Sequence, residues 1–260
     1  MRYRLHREVQ PSNPYMITGL PGAAGVAKLS ADYIVKQLKA ELLEELYSDS
    51  FPPYVLIGKD GTVELLKNEL YYAKGAASSN DLIIFTGNAQ PLTPEGQYEM
   101  ASETLERAKK LGVTKLFAMA AYVVDKPVET SRVHVAVSEV GLLEELKGHE
   151  LIPMETGSIT GTNGLLFGLA KLYGIQSVCL LSETTAYATP TGRVIVDAKA
   201  AKSLLEALAK TLKMEIDTQP LENEAKLSEE FFQKIKEMEQ RAIEELRRSV
   251  TPPPKEQLYV

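Results

Sequence analysis

The chain has 260 residues, of which 44% are hydrophobic and 25% are charged, which is enough apolar material for one large domain or two small ones. A net charge of −6 and a pI near 5.3 argue against nucleic acid as a partner, because phosphate binding needs a clustered excess of Lys and Arg. No apolar stretch approaches the roughly 18 residues of a membrane span, and the first residues lack the apolar segment of a signal peptide. We therefore expect a cytoplasmic protein that binds no membrane.

Apolar runs bounded by turn residues alternate with stretches of helical period, which is typical of an α/β fold with a mostly parallel sheet flanked by helices. Strands are predicted over 15–18, 54–57, 82–86, 115–124, 134–138 and 177–182, and a polar-faced pair of strands over 62–73. Helices are predicted over 26–47, 94–111, 142–147, 164–173 and 198–212. Within the first of these, Glu41, Glu44 and Glu45 are interpreted as a solvated helix face.

A charged segment near the end of the sequence predicts a long helix over 227–248. Its apolar stripe packs either on the parent domain or on another subunit, and it consists of Leu227, Phe231, Ile235, Met238, Ala242 and Leu246. Thr251 and three prolines end this helix, since proline lacks the backbone donor. The sequence thus predicts an α/β domain over 1–220, a helix over 221–250 and an extended proline-rich tail over 251–260.

The stretch TGLPGAAG places Gly19, Gly22 and Gly25 between a predicted strand and a predicted helix, where a phosphate-binding loop would lie. The glycine spacing matches neither the dinucleotide fingerprint nor the triphosphate loop, which ends in Gly-Lys-Ser or Gly-Lys-Thr. A tight turn with close backbone approach explains the glycines without a ligand, and we favour that interpretation.

A second glycine-rich stretch, METGSITGTNGLLFG, contains Gly157, Gly161 and Asn163 just before an apolar helix. Its hydroxyls and backbone N–H groups suit an anion, but they suit capping of the helix equally well. Catalysis at this stretch is therefore the weaker of the two interpretations.

Residues that would carry catalysis or bind a metal are scattered along the chain. His6, His134 and His149 have no ligand-pair spacing, and no nucleophile has a plausibly placed histidine base. Cys179 lies within the apolar run SVCLLS and is interpreted as a small core residue. We therefore expect no metal, no cofactor and no catalytic residues.

Four segments in order resemble the proteasome assembly chaperone 2 family, and the resemblance covers roughly residues 13–250. The segments are GLPGAAGVAKLSADYIVKQL, DLIIFTGNAQP, GSITGTNGLLFGLAKLYGI and DAKAAKSLLEALAKTL. The resemblance implies a three-layer fold related to purine nucleoside phosphorylases, without that enzyme's activity, in a homo-oligomer. It also implies a chaperone or activator that engages the α-subunits of the proteasome.

The last three residues, Leu258, Tyr259 and Val260, acquire a specific interpretation from this resemblance. In proteasome activators, a hydrophobic residue, a tyrosine and any residue at the C-terminus form the motif that docks between adjacent α-subunits. The terminal carboxylate can meet a lysine, while the Tyr259 ring fills an apolar slot and Leu258 adds apolar contact. The rival hypothesis is a nucleoside phosphorylase-like enzyme whose glycine-rich stretches hold phosphate or nucleoside.

Overall fold

The computed structural model describes residues 1–125, 130–185 and 195–250, and in the last helix it leaves thirteen side chains between 227 and 250 undescribed. The described strands are β1 Arg2–Leu5, β2 Tyr15–Gly19, β3 Glu41–Tyr47, β4 Val55–Ile57, β5 Val63–Leu65, β6 Asn68–Ala77, β7 Asn80–Gly87, β8 Lys115–Val123, β9 Val133–Val137, β10 Ile152–Pro153 and β11 Gln176–Thr184. The described helices are α1 Val26–Gln37, α2 Pro94–Lys110, α3 Gly141–Glu145, α4 Gly161–Leu169, α5 Ala198–Leu212 and α6 Gln219–Val250.

Nine of the described strands form one sheet in the order β1-β3-β6-β7-β2-β8-β11-β9-β10. The central strands β7, β2, β8 and β11 are mutually parallel. The flank from β1 to β7 is antiparallel, and β9 runs antiparallel to β11. The predicted α/β fold is confirmed, with a sheet that is parallel at its centre and mixed as a whole.

Helices cover both faces of the sheet, which gives three layers. Successive residues of a strand point to opposite faces, so Met16 and Ile17 in β2 belong to different cores. The core around Ile17 includes side chains of α1 and α5, such as Ile34 and Leu204. The core around Met16 includes Met100 of α2. The central strands β2, β7, β8 and β11 are buried from both sides, which is why they lack a polar-apolar alternation.

The prediction of one helix over 26–47 is wrong. The residues of the predicted solvated helix face lie in a strand instead, where Glu41 is exposed, Glu44 is half-buried and Glu45 is buried. Helix α1 stops at Gln37, and Lys39 takes a left-handed conformation with φ of 50°, which turns the chain into β3. Strand β3 then pairs with β1 and β6. These helix-forming residues become a strand because pairing on both sides outweighs their local preference.

The long last helix begins earlier than predicted, at Gln219 rather than at residue 227. The side chain of Asp217 accepts a hydrogen bond from the backbone N–H of Gln219 at 3.0 Å. Pro220 lies in the first turn, where its missing donor has no partner to lose. Leu221 and Ala225 are buried, so the first turns of α6 are anchored on the domain.

A small second sheet projects from the domain as a hairpin of β4 and β5. The register pairs Val55 with Leu65, Leu56 with Glu64, and Ile57 with Val63. The strands predicted over 54–57 and 62–73 are thus present, but β5 pairs with β4 and β6 joins the main sheet instead.

Candidate functional site

The predicted partner-binding residues Leu258, Tyr259 and Val260 lie outside the described residues. The structure describes the helix that precedes them, α6, as far as Val250. The tail over 251–260 therefore stays a sequence prediction, and its attachment point is the far end of a 32-residue helix.

The predicted apolar stripe of α6 is described at three of its six positions. Met238 and Leu246 expose 61% and 64% of their surfaces, and Ala242 is exposed as well. The side chains of Leu227, Phe231 and Ile235 lie outside the described residues. In a single chain the distal stripe is thus open to solvent, which argues against packing of this part on the parent domain.

The first glycine-rich stretch forms a tight strand-to-helix connection. Gly19 ends β2, Gly22 precedes a short 3-10 turn, and Gly25 caps the start of α1 with a left-handed φ of 63°. A Cβ on Gly19 would lie 2.8 Å from the Cβ of Ala31 and would collide with the carbonyl oxygen of Ala27. Gly19 therefore permits the close approach of α1 to the sheet, as the ligand-free interpretation predicts.

The second glycine-rich stretch lies at the start of α4, next to the first. Gly157 follows β10, while Gly161 and Asn163 form the first turn of α4. The side chain of Asn163 accepts from the backbone N–H of Leu20 at 3.1 Å and donates to its carbonyl oxygen at 3.2 Å. The two stretches predicted separately from the sequence are thus joined by direct hydrogen bonds.

Gln90 makes a second link between the two stretches. Its amide oxygen accepts from the backbone N–H of Thr162 at 2.7 Å, and its amide nitrogen donates to the carbonyl oxygen of Pro21. The sequence reasoning missed Gln90, because its partners lie far away along the chain. The one signal for Gln90 is its position after β7, at the carboxyl ends of the parallel strands, where functional residues of α/β folds commonly lie.

A cleft of about 460 Å³ lies between the two stretches. Gly22, Gly157 and Gly161 line it, together with Gln90 and Tyr122. None of the described residues that line the cleft is charged. The position at the ends of parallel strands suits a ligand, but phosphate would find no cationic side chain among the described lining residues.

A buried carboxylate near this edge was also missed by the sequence reasoning. Glu183 of β11 is 1% exposed; it accepts hydrogen bonds from Arg132 at 2.7 Å and contacts the His134 ring nitrogen Nε2 at 3.0 Å. Burial opposes ionisation of Glu183, but these hydrogen bonds outweigh it and keep the pKa of Glu183 below its ordinary value. Tyr122 stacks on His134 with ring centroids 4.2 Å apart. The cluster thus links the neighbouring strands β8, β11 and β9 through side-chain contacts.

Glu45 is another buried carboxylate, and it lies in β3 and not on a helix face. Lys67 forms an ion pair with it, and His6 Nε2 lies 2.9 Å from its Oε2. Burial alone would raise the pKa of Glu45, but the hydrogen bonds from Lys67 and His6 lower it to about 2. Lys67 also pairs with Glu69 at 2.9 Å. This network ties β1, β3 and β6 together at the antiparallel flank.

The histidines that the sequence analysis considered as metal ligands lie apart in the fold. His6 and His134 contact Glu45 and Glu183 separately, so the structure does not bring the histidines together. Within the described ranges, no group of three or more His, Cys, Asp or Glu side chains could hold a metal ion.

Cys179 is buried in β11, and burial raises the pKa of its thiol to about 12. Among the residues that the structure describes, no helix combines the length and apolarity needed to cross a bilayer.

Two crystal structures from Pyrococcus furiosus are similar to this fold over nearly their whole length. PbaB, an archaeal proteasome activator, matches with a TM-score of 0.82 and 37% identity over 90% of this chain and 98% of that one. PbaA, an archaeal homolog of proteasome-assembly chaperone, matches with a TM-score of 0.72 and 27% identity over 95% of this chain and 97% of that one.

Sequence comparison places the chain in a family. It is 34% identical over 253 residues to the uncharacterized protein MJ1210 of Methanocaldococcus jannaschii, which covers 96% of this chain and 93% of that protein. The model of the PAC2 family matches residues 16–236, which confirms the family resemblance seen in the sequence. The chain belongs to the PAC2 family.

Proposed function

We propose that this protein is a homo-oligomeric proteasome assembly chaperone or ATP-independent activator that docks on the α-ring of the proteasome. The observation that carries the proposal is the 37% identity with an archaeal proteasome activator over 90% of this chain. The docking element is the tripeptide Leu258, Tyr259 and Val260. The protein works by binding, without catalysis.

The chemistry of the tripeptide supports docking in a pocket between two subunits. A tyrosine ring offers a large apolar surface with a hydroxyl that still forms a hydrogen bond, and Leu258 extends the apolar contact. The proposal requires Val260 to carry the terminal carboxylate, which pairs with a lysine of the pocket. A single residue added after Val260 would move the carboxylate away from that lysine, so such a variant tests the proposal.

The geometry of α6 supports a docking element held away from the domain. Buried Leu221 and Ala225 anchor its first turns, and its 32 residues span about 48 Å at 1.5 Å per residue. In a polyproline II conformation, the following ten residues would add about 30 Å, at roughly 3.1 Å each. A stiff proline-containing tether loses less entropy on docking than a flexible one, and several tails on one oligomer raise avidity.

The cleft between the glycine-rich stretches supports the enzyme hypothesis less well. The polar side chains of Gln90 and Asn163 are engaged with Pro21, Thr162 and Leu20 rather than directed at a ligand. The described residues lining the cleft also lack the cationic groups with which a phosphorylase would bind phosphate.

Binding of purified α-rings to immobilised protein tests the proposal. We expect Tyr259→Ala to weaken binding at least about 10-fold and Tyr259→Phe to have a smaller effect, because the ring still fills the slot. One residue added after Val260 should abolish binding. Leu172→Ala, at a leucine of the domain that is 79% exposed, is the control and should bind like the intact protein.

Two results would contradict the proposal. Unchanged binding by both Tyr259→Ala and the extended chain would exclude the tripeptide as the docking element. No binding by the intact protein would exclude the α-ring as its partner.

A further inference from the structure

The hairpin of β4 and β5 exposes an aliphatic surface, which we call the hairpin face and which consists of Val55, Ile57, Val63 and Leu65. The register pairs Val55 with Leu65 and Ile57 with Val63, so all four side chains lie on one side of the hairpin. Their exposed fractions are 46%, 67%, 65% and 58%. The opposite side carries the third pair, Leu56 with Glu64.

The hairpin is a formed structure rather than a frayed connection. At its tip, the backbone N–H of Gly58 donates to the carbonyl oxygen of Thr62 at 2.9 Å, and Asp60 accepts from the N–H of Thr62 at 3.1 Å. At its base, Phe51 and Leu66 are buried in the core on the α2 side of the sheet. The aliphatic side chains are therefore held in fixed positions on the surface.

Such a surface is unusual on a chain that acts alone. An isolated two-stranded hairpin is marginally stable in water and needs a third element packed on its apolar face. Among the described strands, β4 and β5 pair only with each other. A further exposed apolar side chain lies at the hairpin base: Leu92 is 64% exposed, and its backbone N–H donates to the carbonyl oxygen of Ser50 at 2.8 Å. Contiguous exposed apolar patches of this kind mark interaction sites.

We propose that a second copy of this chain covers the hairpin face. The face carries no charged side chain, since Glu64 points to the other side, so two identical copies can meet there without opposing like charges. Elsewhere a net charge of −6 per chain opposes self-association. The four aliphatic side chains of the face, three of them more than half exposed, supply an apolar centre of the kind that interfaces between subunits contain.

The inference rests on the self-association in the proposed function and not on docking of the tail. An experiment that disproves docking of the tail therefore leaves self-association through the hairpin face untouched, and the reverse also holds. Removal of the tripeptide 258–260 should leave self-association unchanged, and loss of self-association leaves each single tail able to dock with lower avidity.

The molar mass in solution of two matched lysine variants tests the inference. Ile57→Lys places a charge on the hairpin face, whereas Leu56→Lys places the same charge on the opposite side, next to Glu64. We expect Ile57→Lys to weaken self-association at least about 100-fold and to sediment toward the single-chain mass of 28.6 kDa. Leu56→Lys should keep the mass of the intact protein.

Two outcomes would overturn it: an intact protein that sediments as a single chain, or an Ile57→Lys variant that keeps the intact mass. An Ile57→Lys variant that keeps its mass but no longer binds α-rings would instead assign the face to the proteasome.

Thiol protection provides a second measurement that does not depend on a destabilising charge. The natural Cys179 is fully buried, and burial raises the pKa of its thiol to about 12, so an introduced surface cysteine is the only one expected to react. In the associated protein, Ile57→Cys should react with a maleimide at least about 10-fold more slowly than Leu56→Cys. Equal rates would overturn the inference.

Discussion

Gln90 accepts a hydrogen bond from the backbone N–H of Thr162 at 2.7 Å, and through it the loop after β7 holds the start of α4. The same side chain donates to the carbonyl oxygen of Pro21 in the first glycine-rich stretch. One amide therefore satisfies a donor and an acceptor on two segments that are distant in sequence. The glycine-rich stretches are thus fixed to each other by the chain itself, without a ligand.

Removal of this amide should destabilise the protein. We expect Gln90→Ala to lower the free energy of unfolding by about 1–3 kcal/mol, because it leaves two backbone groups without their partner. Chemical denaturation followed by circular dichroism measures this change. Gln10→Ala, at an exposed glutamine, is the control and should change the free energy by less than about 0.5 kcal/mol. Equal effects of the two substitutions would contradict the role of Gln90.

Two glycines of α4 should respond in opposite directions to the same substitution. A Cβ on Gly164 would lie 2.6 Å from the carbonyl carbon of Ile159 and would collide with its oxygen, whereas a Cβ on Gly168 meets open space. We expect Gly164→Ala to lower the free energy of unfolding by about 1–3 kcal/mol. Gly168→Ala should raise it by about 0.5–1 kcal/mol, because alanine favours helix. A stabilising Gly164→Ala would show that Ile159 does not press on the helix.

Glu45 should make stability depend on pH. Its pKa is about 2 in the folded protein, below the value of 4.5 expected when it is exposed, so it stabilises the fold above about pH 4.5 and loses that contribution as pH falls toward 2. We expect Glu45→Gln to cost about 1–3 kcal/mol at neutral pH, because Lys67 and His6 lose a buried charged partner while Lys67 keeps its ion pair with Glu69. The difference between the two proteins should shrink as pH falls from 5 to 2. A difference that is constant over this range would contradict the ion pair.

The sequence predicted those elements whose signals are local. Helix α5 occupies the predicted range 198–212, because an apolar stripe runs along it and Asp197 accepts a hydrogen bond from Ala200 at its start. Helix α2 likewise begins at Pro94, after Thr93 caps the N–H of Gly96 at 3.1 Å. Both starts depend on residues within one turn of each other.

Elements and contacts that depend on distant residues could not be predicted in this way. The segment ELLEELY has helix-forming composition and becomes β3 only because β1 and β6 lie on either side of it. The roles of Gln90 and Glu183 depend on partners 72 and 51 residues away. The hairpin face could not be predicted for a related reason. Its strands were predicted, but the exposure of their side chains depends on the pairing of β4 with β5 outside the main sheet.

Equilibrium binding of purified α-rings to the intact protein and to a variant lacking Leu258, Tyr259 and Val260 tests the central claim most directly. The account predicts binding by the intact protein and a loss of at least about 100-fold in affinity for the variant, because several tails on one oligomer act together. At higher salt the intact protein should bind more weakly, since one contact pairs a carboxylate with a lysine. Equal affinities of the two proteins would contradict the claim.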